Sequence, residues 1–363
     1  MKQFHHQFST SVCRPPPISP AVTVLDVSST VGAILALLLK QNPHVTELRI
    51  YDENKDTYMM ADDLNVIDTQ TRVVPFSCKS LKEAIKDAHV VISTGGCQSK
   101  PGLSQKQLFE QNIDNVRNVA IFLSEFNPTA VYCIAKPPVE ALVPLASEEY
   151  KKAECYNPRK IIGITTYASM VANTFIARYL RVDPEEVMCP IVGGLAPKST
   201  IPVISHTKPS VEYNSKVYLK LQEDIANAEE TLLRKGATWC FSKAAAISRF
   251  INLLLEAIKG DKKCAECAFV AQTGHIGKFL PYMTSIVKLG PEGVSSTHMP
   301  KINELEITRL KSALPHILEN IFLGQTYLNG EFSLPPQFRT KRRCDVHLKQ
   351  KLKERNIRSG ITC

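Results

Sequence analysis

Four β-branched runs, spaced by stretches of helical character, restrict what this chain can fold into. They are AVTVLDV (residues 21–27), ELRIYD (47–52), HVVIST (89–94) and AVYCIA (130–135), and the helical VGAILALLLKQ follows the first. Strands alternating with helices of this length predict an α/β fold with a doubly wound parallel sheet. A ligand in such a sheet lies at the carboxyl ends of its strands. A chain of 363 residues with 44% apolar and 22% charged content is long enough for two subdomains sharing one core. The longest unbroken apolar run, Val31 to Leu39, is too short to cross a bilayer.

The formal net charge of +9 is unevenly placed. Residues 331–363 carry nine Lys or Arg against Glu331, Asp345 and Glu354, which is +6 and leaves +3 for the rest. A folded nucleic-acid-binding face is therefore not expected. The end of the chain reads as a basic tail with a short helix around Val346 to Arg355, either solvated or docked on an acidic protein, nucleic acid or anionic lipid. At the other end, the first 25 residues contain no Asp or Glu, while Phe4, Phe8 and Val12 recur every four residues. Residues 1–21 thus read as a mitochondrial presequence stopped by RPPPISP, with an unstructured cytoplasmic extension as the alternative.

Eleven cysteines without framework spacing read as free thiols in a reducing compartment. Cys264 and Cys267 form a lone CAEC with no second pair and no histidine near it in sequence, so no metal is expected. His206, His275 and His298 read as surface residues.

The stretch VGGLAPKSTIP (192–202) is the most informative for function. A glycine pair ending a strand commonly delivers an active side chain into a cleft, and here that side chain is Leu195, which cannot move a proton. KPGLSQKQLF, YNPRKIIGITT, VANTFIARYL, VGGLAPKSTIPVIS and CAFV occur in an order and spacing that resemble malate dehydrogenase, above all its mitochondrial type. The likeness covers about residues 22–330. It implies a Rossmann-type, NAD-binding-type domain over 22–140, an α+β catalytic-type domain over 141–330, and a homodimer or a heterodimer with a relative.

The family's chemistry then fails position by position. The resemblance places the proton-transferring histidine at Leu195 and its orienting aspartate at Ala168. The arginines that hold a dicarboxylate fall at Ser99, Gln105 and Val171, and the substrate asparagine falls at Lys136, a cation able to attract an anion. General acid or base catalysis alone is worth roughly 10²- to 10⁴-fold. No functional catalytic or substrate-binding residue is therefore expected.

The cofactor motif is degenerate as well. DVSSTVG keeps only Gly32 of the family's glycine loop, with Asp26, Ser29 and Thr30 where phosphates would approach, and Lys243 adds a cation near the nicotinamide position. Asp52 at the end of the second strand, Asn112, and the Ile134 and Ala135 backbone match cofactor-contacting positions. The expectation is a non-catalytic malate dehydrogenase relative with no cofactor, acting by binding or structure. The alternatives are a residual or drifted NAD-dependent dehydrogenase interconverting malate and oxaloacetate, and a module that binds NAD without turning it over.

Overall fold

The computed structural model describes residues 20–53, 56–77, 80–100, 102–236 and 240–328. Residues 1–19 of the presequence-like segment and the whole basic tail lie outside them, whereas Ala21, the last residue of that segment, already begins β1. The first half alternates strand and helix: β1 (Ala21–Leu25), α1 (Thr30–Lys40), β2 (Glu47–Tyr51), α2 (Thr57–Val66), β3 (Arg72–Phe76), α3 (Leu81–Ile85), β4 (Val90–Ser93), α4 (Gln105–Phe126), β5 (Val131–Ile134), α5 (Val139–Lys152) and β6 (Ile161–Ile164). Then follow α6 (Thr166–Leu180), β7 (Ile191–Gly193), β8 (Thr200–Pro202), α7 (Ser215–Ala226), α8 (Ala228–Arg234) and α9 (Phe241–Ile258). The last elements are β9 (Ala265–Ala271), α10 (Gly274–Phe279), β10 (Tyr282–Gly290), β11 (Gly293–His298) and α11 (Glu304–Thr326).

The strands lie in the order β3-β2-β1-β4-β5-β6, all parallel, which is the Rossmann order with its switch point between β1 and β4. β9 adds antiparallel to β6, and the antiparallel β10, β7 and β8 continue the sheet, with β11 on β10. The four runs that predict strands become β1, β2, β4 and β5. The parallel sheet is covered on both faces, so β1, β4 and β5 are buried throughout, as their near-continuous apolar runs require.

Two apolar cores flank the sheet. On one side Leu35, Ala36 and Leu39 of α1 meet Ile247, Phe250 and Ile251 of α9; on the other, α4, α5 and α11 cover Val91, Tyr132 and Ile134. Among the described residues no helix is long and apolar enough to cross a membrane. The seven described cysteines are all free thiols.

His89 fixes the sheet's first strand, because its Nδ1 accepts the Ala21 N–H at 3.2 Å. Burial, then the charges of Arg49 and Lys160, hold the imidazole below its usual 6.5. The folded state resists a proton that the unfolded chain takes up, so this contribution is complete above 6.5 and is lost as the pH falls. Denaturant titrations over roughly pH 7.5 to 5.5 should show a shallower acid-side loss of stability for His89→Gln than for the native chain.

Candidate functional site

The carboxyl ends of β1, β2, β4 and β5 converge on the switch point, and the chain fills that crevice with its own side chains. Asp26 leaves β1 with φ 56°, and Ser29 caps α1 by accepting the Gly32 N–H at 3.1 Å while donating to the Asp26 carbonyl at 2.7 Å. Serine is a strong N-cap, so the helix keeps its start without the family's glycines. Across the gap, Gly95 adopts φ +66°, and a Cβ there would lie 2.6 Å from Ser29 Oγ and 2.9 Å from Asp26 Cβ. The β1 and β4 loops are therefore packed against each other. The Asp52 carboxylate accepts the Ser28 N–H at 2.9 Å, closing the β2 end of the same loop.

Lys136 does not stand ready for an external anion, contrary to the reading of its cation as an anion attractor. Its Nζ lies 2.8 Å from Asp26 Oδ2 and donates to Asn115 Oδ1 at 2.7 Å, while Asn115 Nδ2 donates to Asp26 Oδ1 at 3.0 Å. The lysine side chain is 1% exposed and that of Asp26 24%. Asp26 and Lys136, which the sequence reading treats as separate departures from the resembled motifs, thus form one closed triangle with Asn115. Burying an ammonium is costly without a counter-charge, and Asp26 supplies it.

Beyond this triangle lies a cavity of about 310 Å³, within the usual range of small-molecule pockets. Five of the six positions to which the resemblance assigns catalytic or substrate groups line it: Ser99, Gln105, Ala168, Val171 and Leu195. Lys136 is not among the lining residues, because it turns toward Asp26. Much of the wall is apolar, built by Ile164, Ile225, Ala246 and Ile247 around Leu195, and among the described residues it contains no histidine or arginine. Tyr167 faces the cavity, and burial followed by the Glu229 charge pushes its phenol up to about 12, so it stays protonated at neutral pH. Lys243 is paired with Glu229 at 2.7 Å and donates to Gln98 Oε1 at 3.3 Å.

Glu140 is the residue that sequence reasoning missed. Pro138 and Val139 lead into α5 just after Lys136, and the Glu140 carboxylate, 2% exposed, turns toward the Gly193–Gly194 loop. It accepts from the Leu195 N–H, from Ala196 N at 3.3 Å, from Ser199 Oγ at 2.7 Å and from Asn320 Nδ2 of α11. Gly194 must be glycine, because a Cβ there would collide with this carboxylate. The loop that presents Leu195 is thus clamped between α5 and α11. Glu140→Gln replaces one acceptor by a donor facing donors, and should cost about 1.5–3 kcal/mol in urea unfolding. The only cue in the sequence was an acid in the first turn of a helix whose first half is otherwise apolar.

Asn112, matched to a cofactor position, is 1% exposed and joins three backbone groups: it accepts from Cys97 N at 2.8 Å and donates to the carbonyls of Cys97 and Pro137. Ile134 is buried at the end of β5, and Ala135 lines the cavity while its N–H donates to Ser93 O at 3.0 Å. Gly32 sits in the first turn of α1, with Asp26 O and Val27 Cα where a Cβ would go. His206, His275 and His298 are exposed and absent from the cavity wall. Cys264 and Cys267 do not act together, since Cys264 belongs to the α1–α9 core and Cys267 to the α6–α7 cluster.

Comparison with known proteins agrees with this architecture. Residues 21–163 match the family model of the lactate/malate dehydrogenase NAD binding domain, and residues 165–327 that of the lactate/malate dehydrogenase alpha/beta C-terminal domain. The mitochondrial malate dehydrogenase of Caenorhabditis elegans is 33% identical over 317 residues, spanning 86% of this chain and 92% of that protein. The peroxisomal malate dehydrogenase 1 of Arabidopsis thaliana is 33% identical, over 87% of this chain and 90% of its own length. Among solved structures, the apo malate dehydrogenase of Picrophilus torridus superposes with a TM-score of 0.72 at 19% identity, covering 86% of this chain and 99% of that one. By its strand order, its two matched domains and these relatives, the chain belongs to the lactate/malate dehydrogenase family.

Proposed function

We propose that this protein keeps the malate dehydrogenase fold without the hydride-transfer chemistry, and acts as a binding or structural member of the family. The observation that supports this reading is the cavity wall, where Leu195 stands at the position the resemblance gives to proton transfer and no histidine or arginine lies among the described lining residues. Lys100, Glu229, Glu230 and Lys243 also line the wall, and none of them stands at a position to which the resemblance assigns a catalytic group. Glu140 is held by four donors, Lys243 by Glu229, and Lys136 by Asp26.

The crevice residues do not fit NAD well. Asp26 and Ser29 stand where a pyrophosphate needs bare backbone, and Asp52 is engaged by Ser28 N–H rather than left for a ribose. On this reading no cofactor is bound, the division between the two domains falls near residue 140, and the protein pairs with itself or with a relative. Residues 1–21 direct it to mitochondria, with the cytoplasm as the alternative, and the basic tail meets an acidic partner.

A second reading is an NAD-dependent malate dehydrogenase of residual or drifted activity. It is supported by the match to the family's NAD binding domain and by relatives that are named malate dehydrogenases over most of the chain. Purified protein free of host enzyme, assayed with oxaloacetate and NADH, separates the two. No turnover above blank is expected. Saturable oxidation of NADH that scales with protein concentration would establish the second reading. A parallel melt with NAD should leave the transition unmoved, since ligand at 100 times its Kd would add about 2.7 kcal/mol.

A further inference from the structure

Cys264 meets a set of metal-ligating side chains on the far side of the sheet from Cys267. Cys264 Sγ, Glu256 and Asp261 bring their donor atoms within 4.8 Å of one another. His44, from the turn between α1 and β2, places Nε2 at 3.6 Å from Glu256 Oε1. The turn is joined to α9 a second time, where Asn42 Nδ2 donates to Asn252 Oδ1 at 3.1 Å.

The backbone fixes this grouping. α9 ends in a Schellman arrangement: Gly260 at φ +104° donates to the Ala257 carbonyl at 3.0 Å, and Asp261 N–H donates to the Glu256 carbonyl at 3.0 Å. Asp261 Oδ1 then accepts the Lys263 N–H at 2.8 Å, one residue before the cysteine. Cys264 itself is 2% exposed, and its thiol is directed at Glu256 Oε2, 3.9 Å away. A buried sulfur with carboxylate oxygens on its open side is a mixed soft and hard donor set, which suits zinc better than calcium or magnesium.

We propose that Cys264, Glu256 and Asp261 form a zinc site with three protein ligands and a fourth position open to solvent. Zinc–sulfur and zinc–oxygen bonds of about 2.3 and 2.0–2.2 Å require neighbouring donors roughly 3.5 Å apart. The present spread closes by about an ångström, which an exposed aspartate and a long glutamate can supply. On binding, the Cys264 proton leaves to solvent and the thiolate takes its place in the coordination sphere.

His44 is a positioning residue. Lys259 Nζ lies 3.4 Å from its Nδ1, an arrangement in which the lysine donates and the ring proton sits on Nε2, facing Glu256. The site lies apart from the cleft at the strand ends, and it ties the end of α9 to the start of β9 and the turn after α1.

The test uses the full chain, stripped with chelator and titrated with cobalt(II) and zinc(II). One cobalt per chain with a thiolate-to-metal charge-transfer band is expected, and stoichiometric zinc should displace it. Cys264→Ser should abolish the band. Asp261→Asn, at an exposed position that folding tolerates, should weaken zinc binding at least tenfold, and His44→Ala by about 10- to 100-fold. A band that survives in Cys264→Ser, or zinc affinity unchanged in Asp261→Asn, overturns the site. If Cys264→Ser does not fold, the Asp261→Asn titration decides alone.

Discussion

Asp26→Ala is expected to lower the free energy of unfolding by about 3–5 kcal/mol, among the larger losses a single truncation in this fold can cause. The substitution leaves the Lys136 ammonium at 1% exposure with only Asn115 Oδ1 to accept from it. Lys136→Met is the milder change, because the abandoned Asp26 side chain is 24% exposed and keeps its bond from Asn115. Its loss should be about 1.5–3 kcal/mol. The double variant Asp26→Ala/Lys136→Met removes both charges together and should return close to native stability, since a buried ion pair replaced by apolar groups is often neutral. Urea unfolding of the four proteins gives the coupling directly. Additive losses would show that the two groups do not depend on each other.

Activity is expected to return only when the family's groups are restored together. Leu195→His alone should leave oxaloacetate reduction at background, because the new imidazole would face Ala168 and Val171 rather than an orienting carboxylate and a substrate-binding guanidinium. The combined variant carries Leu195→His, Ala168→Asp, Ser99→Arg, Gln105→Arg, Val171→Arg and Lys136→Asn, with glycine at 26, 29 and 30. The cavity wall already holds five of these positions, so their replacements converge on one space. Lys136→Asn made by itself would take from Asp26 its counter-charge, leaving it the Asn115 bond. Restored acid–base catalysis is worth roughly 10²- to 10⁴-fold, well above assay background. Activity in the single variant would place the proton transfer elsewhere. A folded but inert combined variant would show that the Glu140 clamp holds the loop in the wrong register for chemistry.

How much of this was legible in the sequence depends on distance along the chain. The parallel sheet was readable because β-branched runs and helical spacing are local, and AVTVLDV, ELRIYD, HVVIST and AVYCIA all became strands near their expected limits. The positions lining the cleft were readable because ordered motifs fix them. What they touch was not. Asp26 and Lys136 are 110 residues apart, and each looked like an isolated blemish until the crevice brought their charges together. Glu140 gave no motif, and its partners come from two other segments. CAEC drew attention to a pair of cysteines, but side chains three apart on an extended strand point to opposite faces, so the neighbours that matter to Cys264 are Glu256 and Asp261.

The Asp26–Lys136 pair also acts on the paths by which this sequence can change. Glycine at 26 and asparagine at 136 are the residues that a working site would need, yet reaching either one first strands the other charge in the crevice. On the proposed reading, a route to dehydrogenase activity runs through an intermediate less stable than both ends. A population under selection for a folded protein would cross that valley only by a rare simultaneous double change. The ion pair thus works as a one-way latch on descent, tending to keep the cleft in its altered state whatever became useful there afterwards.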